Sequence, residues 1–410
     1  MKEYFYKKEY KYMYLSIFLY NFANALSETF GTVMLYKAGL PIYLILLIYG
    51  IRFLIMGLIT PAFITISNKI GIAKCILISN LFNIIYAYFI LVNQNLLANI
   101  VIFVIAMGLN GLSNPSSDAL SSKYVETEHR GRFNSLYSIS KILGTALASC
   151  LVAWGVISNN TFILFVILTI FFLLQYLTIL KIDYKPEKKS SAFKASIKYL
   201  IHSKSKYKII YALRTNHIIE RQFTPLYLYI LLQDFKAFSV VTVVSLLFQV
   251  MTIILIGKYT DKDIKKSNDI VTLIKTTITL IYLFVKNKFI VSINKTVSDN
   301  VSKIYETSIQ TSIQNIIKES KEDNDLLSSV GQMSLCFTEV IVFSILAFLS
   351  SFIGEKVFII IFVLSIISTI FINVNIKKNK TIEIKILRLS RRYFTHNAHR
   401  AMLQAEPQGS

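Results

Sequence analysis

FIVSINKTVSDNVSKIYETSIQTSIQ, residues 289–314, is the stretch on which the number of membrane crossings turns. Hydropathy alone rejects it, and by composition it reads as a soluble amphipathic segment. Its polar residues are spaced, however. Lys295, Asp299, Lys303, Glu306 and Gln310 recur every three or four positions, the repeat of one helix face. Ile293, Val297, Val301 and Ile304 form the other stripe. The pattern suits a membrane-spanning helix that turns one face toward a cavity.

The charges on either side require that span. Loop 181–208 holds nine lysines against Asp183 and Glu187. The segment after 376 carries Lys377, Lys378, Lys380, Lys385, Arg388, Arg391 and Arg392. Lysine and arginine concentrate in cytoplasmic loops, so both segments belong on the cytoplasmic side. Alternate loops such as 93–96 and 158–161 carry no charge. Both ends are therefore expected inside, and the number of spans must be even. Dropping 289–314 would put the basic end outside.

Further out, apolar runs place spans at about 12–36, 41–66, 73–92, 97–122, 134–157, 160–181, 208–232, 237–257, 269–286, 289–314, 328–352 and 356–376. Each span needs roughly 20 mostly apolar residues, so twelve take about 240 and leave short loops. The expected fold is an all-α polytopic membrane protein, twelve transmembrane helices in two pseudo-symmetric six-helix bundles. Residues 1–181 form the first bundle, 182–207 a basic cytoplasmic linker, 208–376 the second bundle and 377–410 a basic tail.

Composition agrees. Of 410 residues 54% are apolar or aromatic and 16% charged, against about 25% charged in a soluble domain. Mean hydropathy is +0.54. A net charge of +21 could suggest nucleic acid. The basic residues lie between apolar runs, which instead anchors loops beside lipid head groups, so no nucleic acid partner is expected. The opening MKEYFYKKEYKYMYLSIFLY is basic, then apolar, with no small-residue cleavage site, so the first span is expected to be retained. Cys75, Cys150 and Cys336 have neither disulfide nor metal spacing. His396 and His399 are spaced like metal ligands, but two histidines make no site. No metal and no cofactor are expected.

The halves echo each other. Phe30, Leu35 and Tyr36 recur 193 residues later as Phe223, Leu228 and Tyr229. The same shift carries Asn68-Lys69 onto Asp261-Lys262. A six-plus-six repeat about a basic loop is a transporter architecture.

Over about 12–376 the arrangement resembles the major facilitator superfamily. That family's signature between spans two and three is G-x-L-A-D-R-x-G-R-K. Here the segment runs Ile64-Thr65-Ile66-Ser67-Asn68-Lys69-Ile70-Gly71-Ile72-Ala73-Lys74 and keeps the glycine and a basic residue. The second-half copy, Gly257-Lys258-Tyr259-Thr260-Asp261-Lys262, keeps glycine and aspartate. Glu126-Thr127-Glu128-His129-Arg130-Gly131-Arg132 is similar to the family's acidic-then-Arg-Gly-Arg loop. The resemblance implies conformational roles for Asn68, Lys69, Gly71, Arg130, Arg132, Gly257, Asp261 and Lys262. It also departs in places. No arginine stands near Val104, and the antiporter motif G-x-x-x-G-P is reduced to Gly144-Thr145-Ala146-Leu147-Ala148-Ser149.

Charges inside hydrocarbon cost about 2.5–3.5 kcal/mol each on insertion scales and usually face a cavity with a partner. Glu28 lies about 12 Å from the outer end of span one and Arg52 about 16 Å into span two, at compatible depth for a pair. In similar multidrug antiporters a span-one acid exchanges protons against substrate. Span seven reads Arg214-Thr215-Asn216-His217-Ile218-Ile219-Glu220-Arg221. His217 and Glu220 suit a proton relay; Arg214 and Arg221 suit an anionic substrate. In span ten Lys295, Asp299, Lys303 and Glu306 can also neutralise one another. Glu339 and Lys141 are isolated charges. Asp118 fits a loop anchor, while Asn110, Asn114 and Pro115 line a cavity or kink the helix. Proton-coupling candidates are thus Glu28, His217, Glu220, Asp299, Glu306 and Glu339. Substrate-cavity candidates are Arg52, Asn114, Lys141, Arg214, Arg221 and Lys303.

Gly257-Lys258 is the only Gly-Lys pair and lacks the rest of a phosphate-binding loop. Energy is expected from a gradient. The leading expectation is a monomeric, multi-pass cell-membrane (inner or plasma membrane) carrier, not an enzyme. It exports a small amphipathic compound (drug, toxin or modified peptide) against protons by alternating access. The alternatives are uptake or facilitated transport of an anionic metabolite, and a non-transporting immunity or sensor protein.

Overall fold

The computed structural model describes residues 8–93, 95–124, 130–182, 192–202, 206–260, 264–319 and 324–375. Asp261, Lys262 and the tail histidines fall outside these residues. So do the side chains of Glu28, Asn68, Asn114, Asp118, Arg130, Arg132, Lys303 and Gln310. Gly257 is described only as helical backbone.

The described chain is helical, without a strand. The helices are α1 (Lys8–Thr29), α2 (Gly31–Lys37), α3 (Ile42–Ile59), α4 (Phe63–Ile70), α5 (Ile72–Tyr88), α6 (Leu96–Tyr124), α7 (Arg130–Ile157) and α8 (Thr161–Ile179). After them come α9 (Ala192–His202), α10 (Lys206–Leu232), α11 (Phe235–Thr260), α12 (Ile264–Phe284), α13 (Lys288–Glu319), α14 (Asn324–Ile353) and α15 (357–375).

Five of the described segments are long and apolar enough to cross a membrane, the last joining α14 to α15. The chain is a multi-pass membrane protein, and its outer surface agrees. Leu58, Phe162, Leu177, Leu247, Phe289, Ile341, Phe348 and Phe371 are exposed, a belt that water would not tolerate on a soluble protein.

Two expected spans are broken. The first is broken at Phe30, whose ring is buried 5.9 Å from Phe235 and 5.8 Å from Phe238. The second breaks over Thr60–Ala62, where Pro61 cannot donate a helical hydrogen bond. Gly71 joins α4 to α5 with φ +86°, the left-handed region that favours glycine. This accounts physically for the glycine that the loop motif keeps. The linker, expected as a loop, contains α9, which packs on α4, α14 and the Thr60–Ala62 turn.

The stretch 289–314 lies within α13, which is too polar to be among the five apolar segments. It is built inside out. Asn294, Lys295, Ser298 and Asn300 are buried, whereas Ile290, Ile293 and Val297 are exposed. α13 packs on α11 and α12, and these buried polar residues lie within that packing.

The apolar packing is asymmetric along the helices. At the end that holds Phe30, one body gathers side chains from α1 to α15, with Tyr49, Phe53, Phe223 and Phe343 interlocked in it. At the other end are two separate bodies. Tyr10, Tyr14, Cys75, Phe133 and Ile179 form one, from α1, α5, α7 and α8. Ile210, Tyr211, Ile278, Tyr305 and Ile372 form the other, from α10, α12, α13 and α15. Between the halves, α3 packs along α14 and α7 along α11. A Cβ at Gly57 would stand 3.1 Å from Cys336 Cβ, and one at Gly50 3.3 Å from Phe343 Cβ.

Candidate functional site

The largest set of interior charges is built on α10. Thr215, His217 and Glu220 are buried there, about one to three turns before Pro225. Pro225 has no N–H for the Arg221 carbonyl, so the helix ladder is interrupted beside the charges. The Glu220 carboxylate is fully engaged. Lys275 Nζ of α12 donates to Oε2 at 3.1 Å, Ser365 Oγ of α15 donates to the same oxygen, and Thr279 Oγ1 donates to Oε1 at 3.4 Å. Lys275 also donates to Ser302 Oγ of α13 at 2.7 Å. His217 Nδ1 stands 3.6 Å from Glu220 Oε2, and its ring lies 4.8 Å from Tyr305. Thr369 Oγ1 donates to the Ser365 carbonyl, so at 3.0 Å it accepts from His217 Nε2. Four helices, α10, α12, α13 and α15, meet at this knot.

Sequence reasoning found His217 and Glu220 but not Lys275 or the hydroxyls. The signal was available: Lys275 is a lone charge in the apolar run of α12, beside Thr276, Thr277 and Thr279. Nor do the three span-seven cations share one environment. Arg214 is half-buried with its guanidinium 5.4 Å from the Tyr211 ring. Arg221 is exposed and donates to Glu306 Oε1 of α13 at 2.8 Å. His217 alone is buried.

Elsewhere on α13, Lys295 pairs with Asp299, which also accepts from Ser245 Oγ of α11 at 2.6 Å. These charges tie α13 together and to α11. Lys141 is half-buried on α7 and Lys69 exposed at the end of α4. Asn110 is buried, and its Oδ1 accepts from Ser79 Oγ at 2.7 Å, joining α6 to α5. Likewise Asn80 donates to Gln175, joining α5 to α8.

The remaining interior charges straddle the halves. Arg52 of α3 lies among aromatic rings, 4.5 Å from Phe53, 5.0 Å from Tyr49 and 5.8 Å from Phe103. Glu339 of α14 is 0% exposed, and neither carboxylate oxygen has a hydrogen-bond partner. Arg52, Arg221 and Arg214 are the cations within electrostatic reach of it. Depth in the sequence suggested Glu28 for Arg52, and the Glu28 side chain lies outside the described residues; among the described acids, α14 brings Glu339 toward Arg52. Among the described residues no cluster of His, Cys, Asp and Glu could hold a metal ion.

Comparison with known proteins bears on the fold. The family model described as Major Facilitator Superfamily matches residues 12–292. No curated protein sequence matches the chain. Among solved structures the chain is similar to the Escherichia coli fucose:proton symporter, at 16% identity and TM-score 0.66, covering 91% of this chain and 98% of that one. It is also similar to a bacterial homologue of the iron transporter ferroportin in an outward-facing state, at 12% identity and TM-score 0.62, covering 91% of this chain and 99% of that one. At such identities the likeness is one of fold.

Proposed function

Because the chain belongs to the major facilitator superfamily, we propose that this transporter couples protons to the export of a small amphipathic compound, by alternating access between two six-helix halves. Twelve spans, α1–α2 to α8 and α10 to α15 with α9 in the cytoplasmic linker, make up those halves. Both termini are cytoplasmic, in the cell membrane, and the monomer is the working unit.

What carries this is the division of the core. The halves share one apolar body at one end and have separate bodies at the other. Rocking about the α3–α14 and α7–α11 crossings would open one end as the other closes. Exchanging the halves turns one crossing into the other, as the sequence repeat requires. Lysine placement puts the divided end on the cytoplasmic side. The rings of Tyr49, Phe53, Phe223 and Phe343 beside Arg52 suit a solute with apolar and polar parts.

Purified protein in liposomes, with ethidium as probe and an imposed pH gradient, tests this. Uphill ethidium movement that follows the gradient and collapses with a protonophore is expected. Movement indifferent to the gradient would refute proton coupling.

A second reading, transport of an anionic metabolite, is favoured by the convergence of Arg52, Arg214 and Arg221 on one region between the halves. Competition of ethidium movement by organic anions, but not by amphipathic cations, would favour it.

A further inference from the structure

We propose that Glu339 is the site that binds the coupling proton, and that Arg52 is the counter-charge it meets when the proton leaves. This rests on the proton-coupled reading above and deepens it.

The first support is exclusion. Each other described acid inside the helices is already neutralised. Glu220 has Lys275, Ser365 and Thr279; Asp299 has Lys295 and Ser245; Glu306 has Arg221. Moving a proton onto any of them breaks an existing ion pair. Glu339 is the described interior carboxylate with both oxygens buried and unpartnered. A charged carboxylate without a partner is costly in such surroundings, and a bound proton removes that cost.

The second support is position. The contacts Gly57–Cys336 and Gly50–Phe343 set an antiparallel register between α3 and α14. By that register Arg52 stands opposite position 341, within about a turn of Glu339. Arg52 Nε also lacks a hydrogen-bond partner, and its guanidinium is held by rings. The two charges thus sit on opposite halves, at the crossing that must rearrange, without a hydrogen bond between them. A small relative movement of the halves changes their separation, which links the proton's affinity to the direction the carrier faces.

Of the elements packed on α14, α13 carries Lys295 and Asp299, which pair with each other, and Glu306, which pairs with Arg221. From α10 come Arg214 and Arg221, and from α14 itself the Cys336 thiol. α3 adds the Tyr49 phenol, while α6 brings no charge over 96–112. α4 and α9, with Lys69, Lys194 and Lys198, meet α14 beyond Ser329, whose hydroxyl donates to the Thr60 carbonyl. That is more than two helical turns away. Glu355 and Lys356 are exposed beyond its other end. The step itself balances simply. The carboxylate takes a proton from water on one side and gives it to water on the other, with no electron transferred.

Infrared difference spectroscopy of the full chain in liposomes, titrated in H2O and D2O, tests this without a substrate. Wild type should show a protonated-carboxyl C=O band that titrates and shifts in D2O. Glu339→Gln should lose that band and Glu339→Asp should displace it, while Glu220→Gln should keep it. Glu339→Gln or Glu339→Asp spectra identical to wild type would overturn the proposal, and Glu339→Asp decides if Glu339→Gln does not fold. With ethidium, Glu339→Gln should lose gradient-driven movement yet retain ethidium counterflow. Wild type that shows the band but no gradient-driven flux would sink the transport reading and leave the proton site standing. Gradient-driven flux unchanged in Glu339→Gln would do the reverse.

Discussion

Replacing Gly144 by alanine puts a methyl where α1 runs against α7. The added Cβ would lie 2.3 Å from the Phe18 carbonyl oxygen, 3.1 Å from the Phe22 nitrogen and 3.2 Å from the Phe18 carbonyl carbon. Ordinary contact begins near 3.4 Å, so the helices must separate by about 1 Å. Every obstructing atom is backbone, and no side chain can turn aside. Overpacking of this kind costs ~1–3 kcal/mol, and rigid backbone argues for the upper end. Alanine returns ~1 kcal/mol in helix propensity. The net expectation is a loss of about 2 kcal/mol. Gly155→Ala on the same helix is the control. Its Cβ would meet only Leu164, Cδ2 at 3.0 Å and Cβ at 3.1 Å, an overlap of a few tenths of an ångström, so the loss should be smaller than at Gly144. The protein's single tryptophan, Trp154, lies on α7 and reports unfolding by fluorescence. Gly144→Ala melting at or above wild type would refute the account of how α1 and α7 pack.

Four further outcomes follow from the charges and amides. Lys275→Met should destabilise by ~3–5 kcal/mol, because Glu220 keeps its charge without its ammonium; adding Glu220→Gln should recover most of the loss in the same melting assay. Arg221→Ala should change stability by only ~0–1 kcal/mol, since its pair with Glu306 is exposed; any loss of ethidium flux in that variant then reflects transport, not folding. Asn80→Leu should cost ~1–3 kcal/mol by stranding Gln175, read by denaturant unfolding. Ser365→Ala should lower stability by ~1 kcal/mol, since Glu220 keeps Lys275 and Thr279, and should leave the Glu339 infrared band in place.

Much of the helix layout was legible because the bilayer leaves so few choices. Backbone polar groups must be satisfied within a span, so each long apolar run must be a helix. α13 was legible for a subtler reason. Its polar residues recur at helical spacing, and Lys295 and Ser298 among them are buried where α13 packs on its neighbours. Gly71 stood out because a left-handed turn between two helices tolerates little else. α9 was not legible, since its docking on α4 and α14 is a tertiary contact, and the lysine-rich composition around it reads as loop.

The sequence by itself determined that the chain is helical and membrane-embedded, and which residues are charged in the interior. Depth along a span follows from residue number. Azimuth and the identity of the neighbouring helix do not. Residue number alone does not show that α3 runs along α14, the crossing that brings Glu339 toward Arg52. Lys275 and Glu220 are separated by an entire helix in sequence and joined only where α10, α12, α13 and α15 converge. Residues 289–314 show both sides. Their spacing set the helix and allowed the i,i+4 pair of Lys295 and Asp299, but only packing decided that Glu306 holds Arg221 of α10. Which of the described acids are satisfied, and that Glu339 among them has no hydrogen-bond partner, depends on helix neighbours, and no period in the sequence encodes those.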